Sequence, residues 1–165
     1  MRISNRIVYS AIAAGCFGLL GFGLVYLQGV LYLLPCPLCV MQRIAFLLAG
    51  FLALAAAVQN PGRLGLRIYG GLIGLAALGG LVVALRQLYL IHFSQAFECG
   101  ISPEEKFLNA LPLAQWWPGM FQAVGDCTEV AWTFLTLSIP AWAAVCFAAI
   151  IGAVLWTVFA RNGKN

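Results

Sequence analysis

The sequence predicts an all-α membrane protein, a four-transmembrane-helix bundle with both termini cytoplasmic and a long second loop on the far side. Three observations predict it. The 165 residues are 63% hydrophobic and 8% charged, whereas a soluble domain is about 45 to 50% apolar and about 25% charged. The charges are gathered at a few points, which leaves charge-free stretches at Ile7 to Gln42, Ile44 to Gly62, Ile68 to Leu85 and Val130 to Ala160. The basic residues, finally, recur on alternate links. A soluble enzyme is excluded, because a mean hydropathy of +0.96 leaves too few polar residues to cover a wet surface. Disorder is excluded by 11 Phe, 5 Trp and 5 Tyr, since disordered chains are poor in such residues.

Each stretch accommodates one spanning helix of about 20 residues. The expected helices cover residues 7–27, 40–58, 67–90 and 139–159 of a single membrane domain, residues 1–165, with outer loops near 28–39 and 91–138. Arg2 and Arg6 precede an apolar run longer than the core of a secretory signal, so the first helix is read as uncleaved. Arg2 and Arg6, Arg63 and Arg67, and Arg161 and Lys164 mark three segments as cytoplasmic. The outer loops carry one Lys, Lys106, and all five acidic residues. The net charge of +4 therefore reflects topology, and no nucleic-acid partner is expected.

Laid on this topology, the six cysteines separate into two groups. Cys16 and Cys146 fall inside helices 1 and 4, where a free Cys packs as a small hydrophobe. Cys36, Cys39, Cys99 and Cys127 all face outside, where disulfides persist; they permit three pairings. Cys36-Pro37-Leu38-Cys39 opens helix 2. Proline is favoured at the first helical position, which puts Cys36 at the N-cap and Cys39 at the third residue. There the unsatisfied backbone N–H groups and the positive end of the helix dipole favour a thiolate. Arg43 lies one turn on, along the same face. An Arg at a helix end can simply snorkel to the headgroups, which is the reading for Arg86. Arg43, beside a thiolate, is instead assigned to the site, where it could attract the carbonyl oxygen of an electron acceptor.

A zinc site is weighed and set aside, because Cys99 and Cys127 are separated by 27 intervening residues and the one histidine, His92, has no ligand spacing. A purely structural disulfide across two intervening residues closes too small a loop to stabilise much. In the second outer loop, Ser102-Pro103-Glu104-Glu105 reads as a capping box opening a short helix. Trp116 and Trp117 then suggest a segment lying on the bilayer, with membrane lipid as its partner, the alternative being that it packs on the helix bundle.

Together, four helices, a Cys-x-x-Cys opening helix 2, Arg four residues later and two cysteines in the second outer loop resemble the DsbB family over nearly the whole chain. The resemblance implies a thiol:quinone oxidoreductase of the bacterial inner membrane with its active site on the periplasmic side. It implies that Cys99 and Cys127 form the disulfide that oxidises a DsbA-like partner, Cys99 taking the mixed disulfide, and that Cys36 and Cys39 form the second. Electrons would pass through a transient Cys36 to Cys127 link, and Cys39 would deliver them to ubiquinone or menaquinone bound near Arg43, and so to the respiratory chain. No metal is implied. Position 42 is Gln where the family pattern would accept an acid.

Magnitudes bear on the loop pair. Structural disulfides lie below about −300 mV, and a DsbA-like oxidant lies near about −120 mV. An ordinary disulfide would therefore act uphill by about 8 kcal/mol, so the disulfides must be destabilised, or pulled forward by quinone, or both, and Cys99 and Cys127 are expected to be exposed and mobile. Two alternatives belong to other classes. A vitamin K epoxide reductase-like enzyme would place its loop pair before the Cys-x-x-Cys, the reverse of the order here. A non-enzymatic membrane scaffold with structural disulfides would keep its activity in the cell without Cys39.

Overall fold

The computed structural model describes residues 5–93, 109–110, 112–123, 125 and 132–159. Four helices are long and apolar enough to cross a membrane. The first is α1 (Asn5–Phe22), which continues as a π-helical segment (Gly23–Val30). It is followed by α2 (Pro37–Gln59) and α3 (Arg63–Phe93). Two short helices, α4 (Pro112–Trp116) and α5 (Pro118–Phe121), precede a hairpin of β1 (Thr133–Phe134) and β2 (Leu137–Ser138). The last span is α6 (Ile139–Phe159). The chain is thus a multi-pass membrane protein folded as a helical bundle.

Short connections between long helices make neighbours antiparallel. The turn from α2 to α3 shows how: Asn60 caps α2 in the left-handed region (φ 42°), its N–H bonding Ala56 O at 3.1 Å. Asparagine is among the few residues that adopt this conformation readily. Pro61 and Gly62 then precede α3.

The bundle is held by interlocking faces of different texture. On α3 the buried residues are Gly70, Ile73, Ala77, Gly80, Ala84 and Gln87, alternating steps of three and four. This spacing keeps one seam toward a partner helix. On α6, Phe147, Ile150, Val154 and Thr157 follow the same rule. Small residues on one helix let the other approach closely, the usual solution where lipid removes the hydrophobic drive between helices. Gly80 is the tightest point, since a Cβ there would overlap the Phe147 ring. Phe147 in turn stacks on Phe46 of α2, with centroids 4.0 Å apart. α2 presents Ala45, Ala49, Ala53 and Ala56 to the core, and Gly50 lies over the buried Cys16 of α1. That contact gives Cys16 the packing role its apolar setting predicts.

Two features differ from the sequence expectation. Helix 1 widens at its C-terminal end, where Leu31 N–H bonds Tyr26 O five residues back at 3.1 Å. The hairpin β1–β2 arises in a stretch read as loop. Its turn residues Leu135 (φ 49°) and Thr136 (φ 68°) both have positive φ, the geometry of a tight hairpin that Asn-Gly normally signals. Leu-Thr carries no such signal. Stacking of Trp132 on Phe134 and the bond from Trp142 Nε1 to Phe134 O (3.0 Å) hold it instead.

A candidate dithiol site at the head of helix 2

Cys36 is the N-cap of α2, with extended backbone (φ −80°, ψ 162°), and Pro37 opens the first turn. The cap bond is made by sulfur: Cys39 N–H donates to Cys36 Sγ at 3.3 Å. The two thiols face each other with Sγ atoms 2.8 Å apart. Pro37 explains this closeness, since its ring fixes φ for the first turn while Cys36 stays extended, which turns both side chains to one side. Cys36 is buried and Cys39 half-buried, and both border one open side.

That side is a cavity of about 590 Å³. Its wall is apolar in the main, with Leu20, Leu27, Phe46 and Trp142 among its residues, and Cys39, Arg43, Gln42, Gln87 and Gln28 supply polar atoms. Such a volume, with few polar groups on an apolar wall, is typical of small-molecule sites. Cys146 also lines it. Arg43 is half-buried, and its Nη1 donates to Gln28 Oε1 (3.3 Å) and to the Met120 carbonyl (3.4 Å). The guanidinium thus ties α2 to the π-helical segment and to α5, and shares the cavity wall with Cys39.

The loop that carries α4 and α5 docks on the same helix head. Asn109 clasps Ala123 from both sides, Nδ2 donating to Ala123 O (2.9 Å) and Oδ1 accepting from Ala123 N–H (3.0 Å). Two residues on, Gly125 N–H bonds Pro35 O at 3.0 Å. Only glycine fits, because a Cβ would stand 2.5 Å from the Leu34 carbonyl oxygen. Trp116 is 93% exposed and Trp117 58% exposed, an outward display suited to a headgroup layer.

Of the residues singled out from the sequence, Cys36, Cys39 and Arg43 meet at this one site. Cys99, Cys127 and the capping box at Ser102 lie outside the described residues. His92 is exposed and its ring bonds Leu88 O one turn back; it is absent from the cavity wall. Arg86 is exposed and is likewise absent from the cavity wall. The residue that α3 sends to the sulfurs is Gln87, which sequence reasoning missed. The signal was present: Gln87 continues the buried stripe of Gly70, Ile73, Ala77, Gly80 and Ala84, the one amide on an otherwise apolar seam.

Two thiols 2.8 Å apart at the edge of a cavity inside a bundle of apolar helices are an arrangement suited to a membrane thiol–disulfide oxidoreductase. Residues 5–157 match the family model for disulfide bond formation protein DsbB. Among similar proteins, disulfide bond formation protein B of Nitrosomonas eutropha is 56% identical over 92% of this chain and 94% of its own. That of Nitrosomonas europaea is 55% identical over 97% of this chain and 98% of its own. Disulfide bond formation protein B 1 of Pseudomonas aeruginosa is 39% identical over 90% and 91%. The chain belongs to the DsbB family, and its function is disulfide bond formation.

Proposed function

We propose that the chain reoxidises a DsbA-like periplasmic dithiol and passes the electrons to a membrane quinone, as a thiol:quinone oxidoreductase of the bacterial inner membrane. The observation that carries the reading is the Cys36–Cys39 dithiol opening onto a cavity of about 590 Å³ shared with Arg43. The residues fit a quinone: an apolar wall suits a ring and isoprenoid chain, and Arg43 is the cation that would hold a carbonyl oxygen. When bound, a quinone supplies an acceptor for two electrons and two protons. The basic ends, with Arg6, Arg63 and Arg67, face the cytoplasm in this reading. The dithiol lies at the other end of α2, whose 23 residues amount to about 35 Å at 1.5 Å per residue.

In this relay the partner's two thiols attack the Cys99–Cys127 disulfide, so the partner's disulfide forms as the loop disulfide opens to two thiols. Cys127 then attacks Cys36, breaking the Cys36–Cys39 bond and freeing Cys39 as a thiolate. Cys99 resolves the mixed disulfide, restoring the loop disulfide and leaving Cys36 and Cys39 reduced. Two electrons and two protons have moved from partner to the helix 2 pair. The docked loop supports the exchange, because Gly125, bonded next to Cys36, precedes Cys127 by two residues, a chain length of about 7 Å at most.

Three outcomes follow. Adding quinone to the purified protein should produce a visible absorption band from the Cys39 thiolate in contact with the ring. Arg43→Met should weaken quinone binding by about 10- to 100-fold, the scale of a lost hydrogen bond to a charged group. An unchanged affinity would remove Arg43 from the quinone site. Gly125→Val should slow transfer from the loop pair to the helix 2 pair without touching a cysteine, since its side chain meets backbone at Leu34. Gly119→Val is the control, as nothing stands within 4 Å of its added carbon. Rapid-quench alkylation resolves that step, and equal rates in the two variants would refute the role given to the Gly125–Pro35 contact.

A further inference from the structure

Gln87 reaches the reacting sulfurs from a different helix and is enclosed as it does so, with 4% of its surface exposed. Its Nε2 stands 3.3 Å from Cys36 Sγ and 3.3 Å from Cys39 Sγ. Its Oε1 accepts from Gln42 Nε2 at 2.8 Å, and the Cys39 thiol approaches the same oxygen at 3.7 Å, long even for sulfur. A primary amide has a donor end and an acceptor end, and an unrestrained Gln could turn over and present its oxygen to the thiols. Gln42, 5% exposed and one turn beyond Cys39 on α2, removes that freedom by engaging the oxygen. The N–H end is thereby left facing both sulfurs.

This arrangement treats the two oxidation states differently. Reduction of the Cys36–Cys39 disulfide takes up two electrons and one proton, breaks the S–S bond and leaves one thiolate and one thiol. A thiolate is a charged acceptor, and hydrogen bonds to charged groups are roughly twice as strong as neutral ones. A disulfide sulfur is neutral and a weak acceptor. The amide therefore favours the reduced state, most strongly in a dry site where little water competes.

We propose that Gln87 is a catalytic residue of the helix 2 pair, its amide stabilising the sulfur that becomes negative when the disulfide opens, and that Gln42 is the positioning residue that keeps the donor turned inward. The inference rests on the proposed relay and deepens it. It makes the second disulfide a stronger oxidant than its short loop alone would, which draws electrons away from the loop pair. It also gives position 42 a function that an amide serves and an ionised acid would not, because a carboxylate there has no N–H to offer the Gln87 oxygen.

The test is the redox equilibrium of the pair in the full chain, with Cys99→Ser and Cys127→Ser introduced so that the loop cannot exchange. The detergent-solubilised protein is equilibrated in glutathione buffers of graded ratio, quenched with acid, alkylated and assayed for the Cys36–Cys39 disulfide by peptide mass spectrometry. Gln87→Met keeps the length of the side chain and removes the donor. It should shift the equilibrium constant about tenfold toward the disulfide, which is about 30 mV for two electrons. Gln42→Met should shift it in the same direction by a smaller factor. A merely structural role for Gln87 lowers the melting temperature and leaves the constant where it was. That result, a constant within twofold of the parent, would overturn the proposal. If Gln87→Met does not fold, Gln42→Met decides, and no shift there is equally fatal. If the parent forms no Cys36–Cys39 disulfide at any ratio, the relay itself fails and the inference falls with it.

Discussion

Cys39→Ser is expected to stop quinone-dependent oxidation of a dithiol partner, by more than about 10³-fold, the scale on which removal of a reacting nucleophile acts. Three properties of the site make the loss complete. Serine cannot close a disulfide with Cys36, whose sulfur lies 2.8 Å from that of Cys39. Its hydroxyl stays protonated where a thiol in the first turn of a helix ionises readily. And Cys39 is the more exposed member of the pair, although both cysteines line the cavity. The fold should survive, because Ser is slightly smaller and tolerated at a helix start. The rate of partner oxidation with quinone present, beside a melting curve, makes the comparison. Retention of more than a tenth of the parental rate in a folded variant would sink the relay and favour a scaffold with structural disulfides.

Gly80→Leu is expected to be the most damaging single change in the membrane region. Helix propensity alone argues the opposite, since replacing Gly in a helix interior gains about 1 kcal/mol. Packing decides. A Cβ at position 80 already overlaps the Phe147 ring, and that ring has nowhere to go, being fully buried and stacked on Phe46 at 4.0 Å. Overpacking a tight core costs about 1 to 3 kcal/mol and sometimes more, and a rigid ring flanked by two helices belongs at the upper end. The net loss should be about 2 kcal/mol, read as a lower midpoint of unfolding in detergent. Gly79→Leu, one residue away with open space at its Cβ, should be neutral or slightly stabilising. Equal midpoints for the two variants would show that α3 and α6 do not meet at Gly80.

How much of this was legible in the sequence depends on how local each feature is. The spans could be read because charge-free runs bounded by Arg are a property of the chain alone. The N-cap role of Cys36 and the placing of Cys39 in the first turn follow from Pro37, one residue away, and the structure has both. Arg43 was assigned to the site from its spacing to Cys39. Its actual partners, Gln28 and the Met120 carbonyl, come from 15 and 77 residues away, and no helical spacing encodes such meetings. Gln87 was hidden for the same reason, as it joins Cys36 across 51 residues. The hairpin was missed because aromatic stacking, not turn chemistry, holds Leu135 and Thr136 at positive φ.

The π-helical segment at Gly23–Val30 has one further implication, and it concerns length. Each residue of an α-helix advances side chains by about 100° around the axis, so a wider turn acts as a stored insertion that resets which face points inward. Gln28 owes its direction toward Arg43 to that reset. Substitutions along the exposed side of the segment, at Val25 for instance, which is 70% exposed, leave the phase untouched. Deleting the same residue would let the turn relax to α, swing Gln28 off the cavity and release the guanidinium from one of its two holds. The C-terminal end of helix 1 should therefore tolerate spelling changes freely and length changes hardly at all.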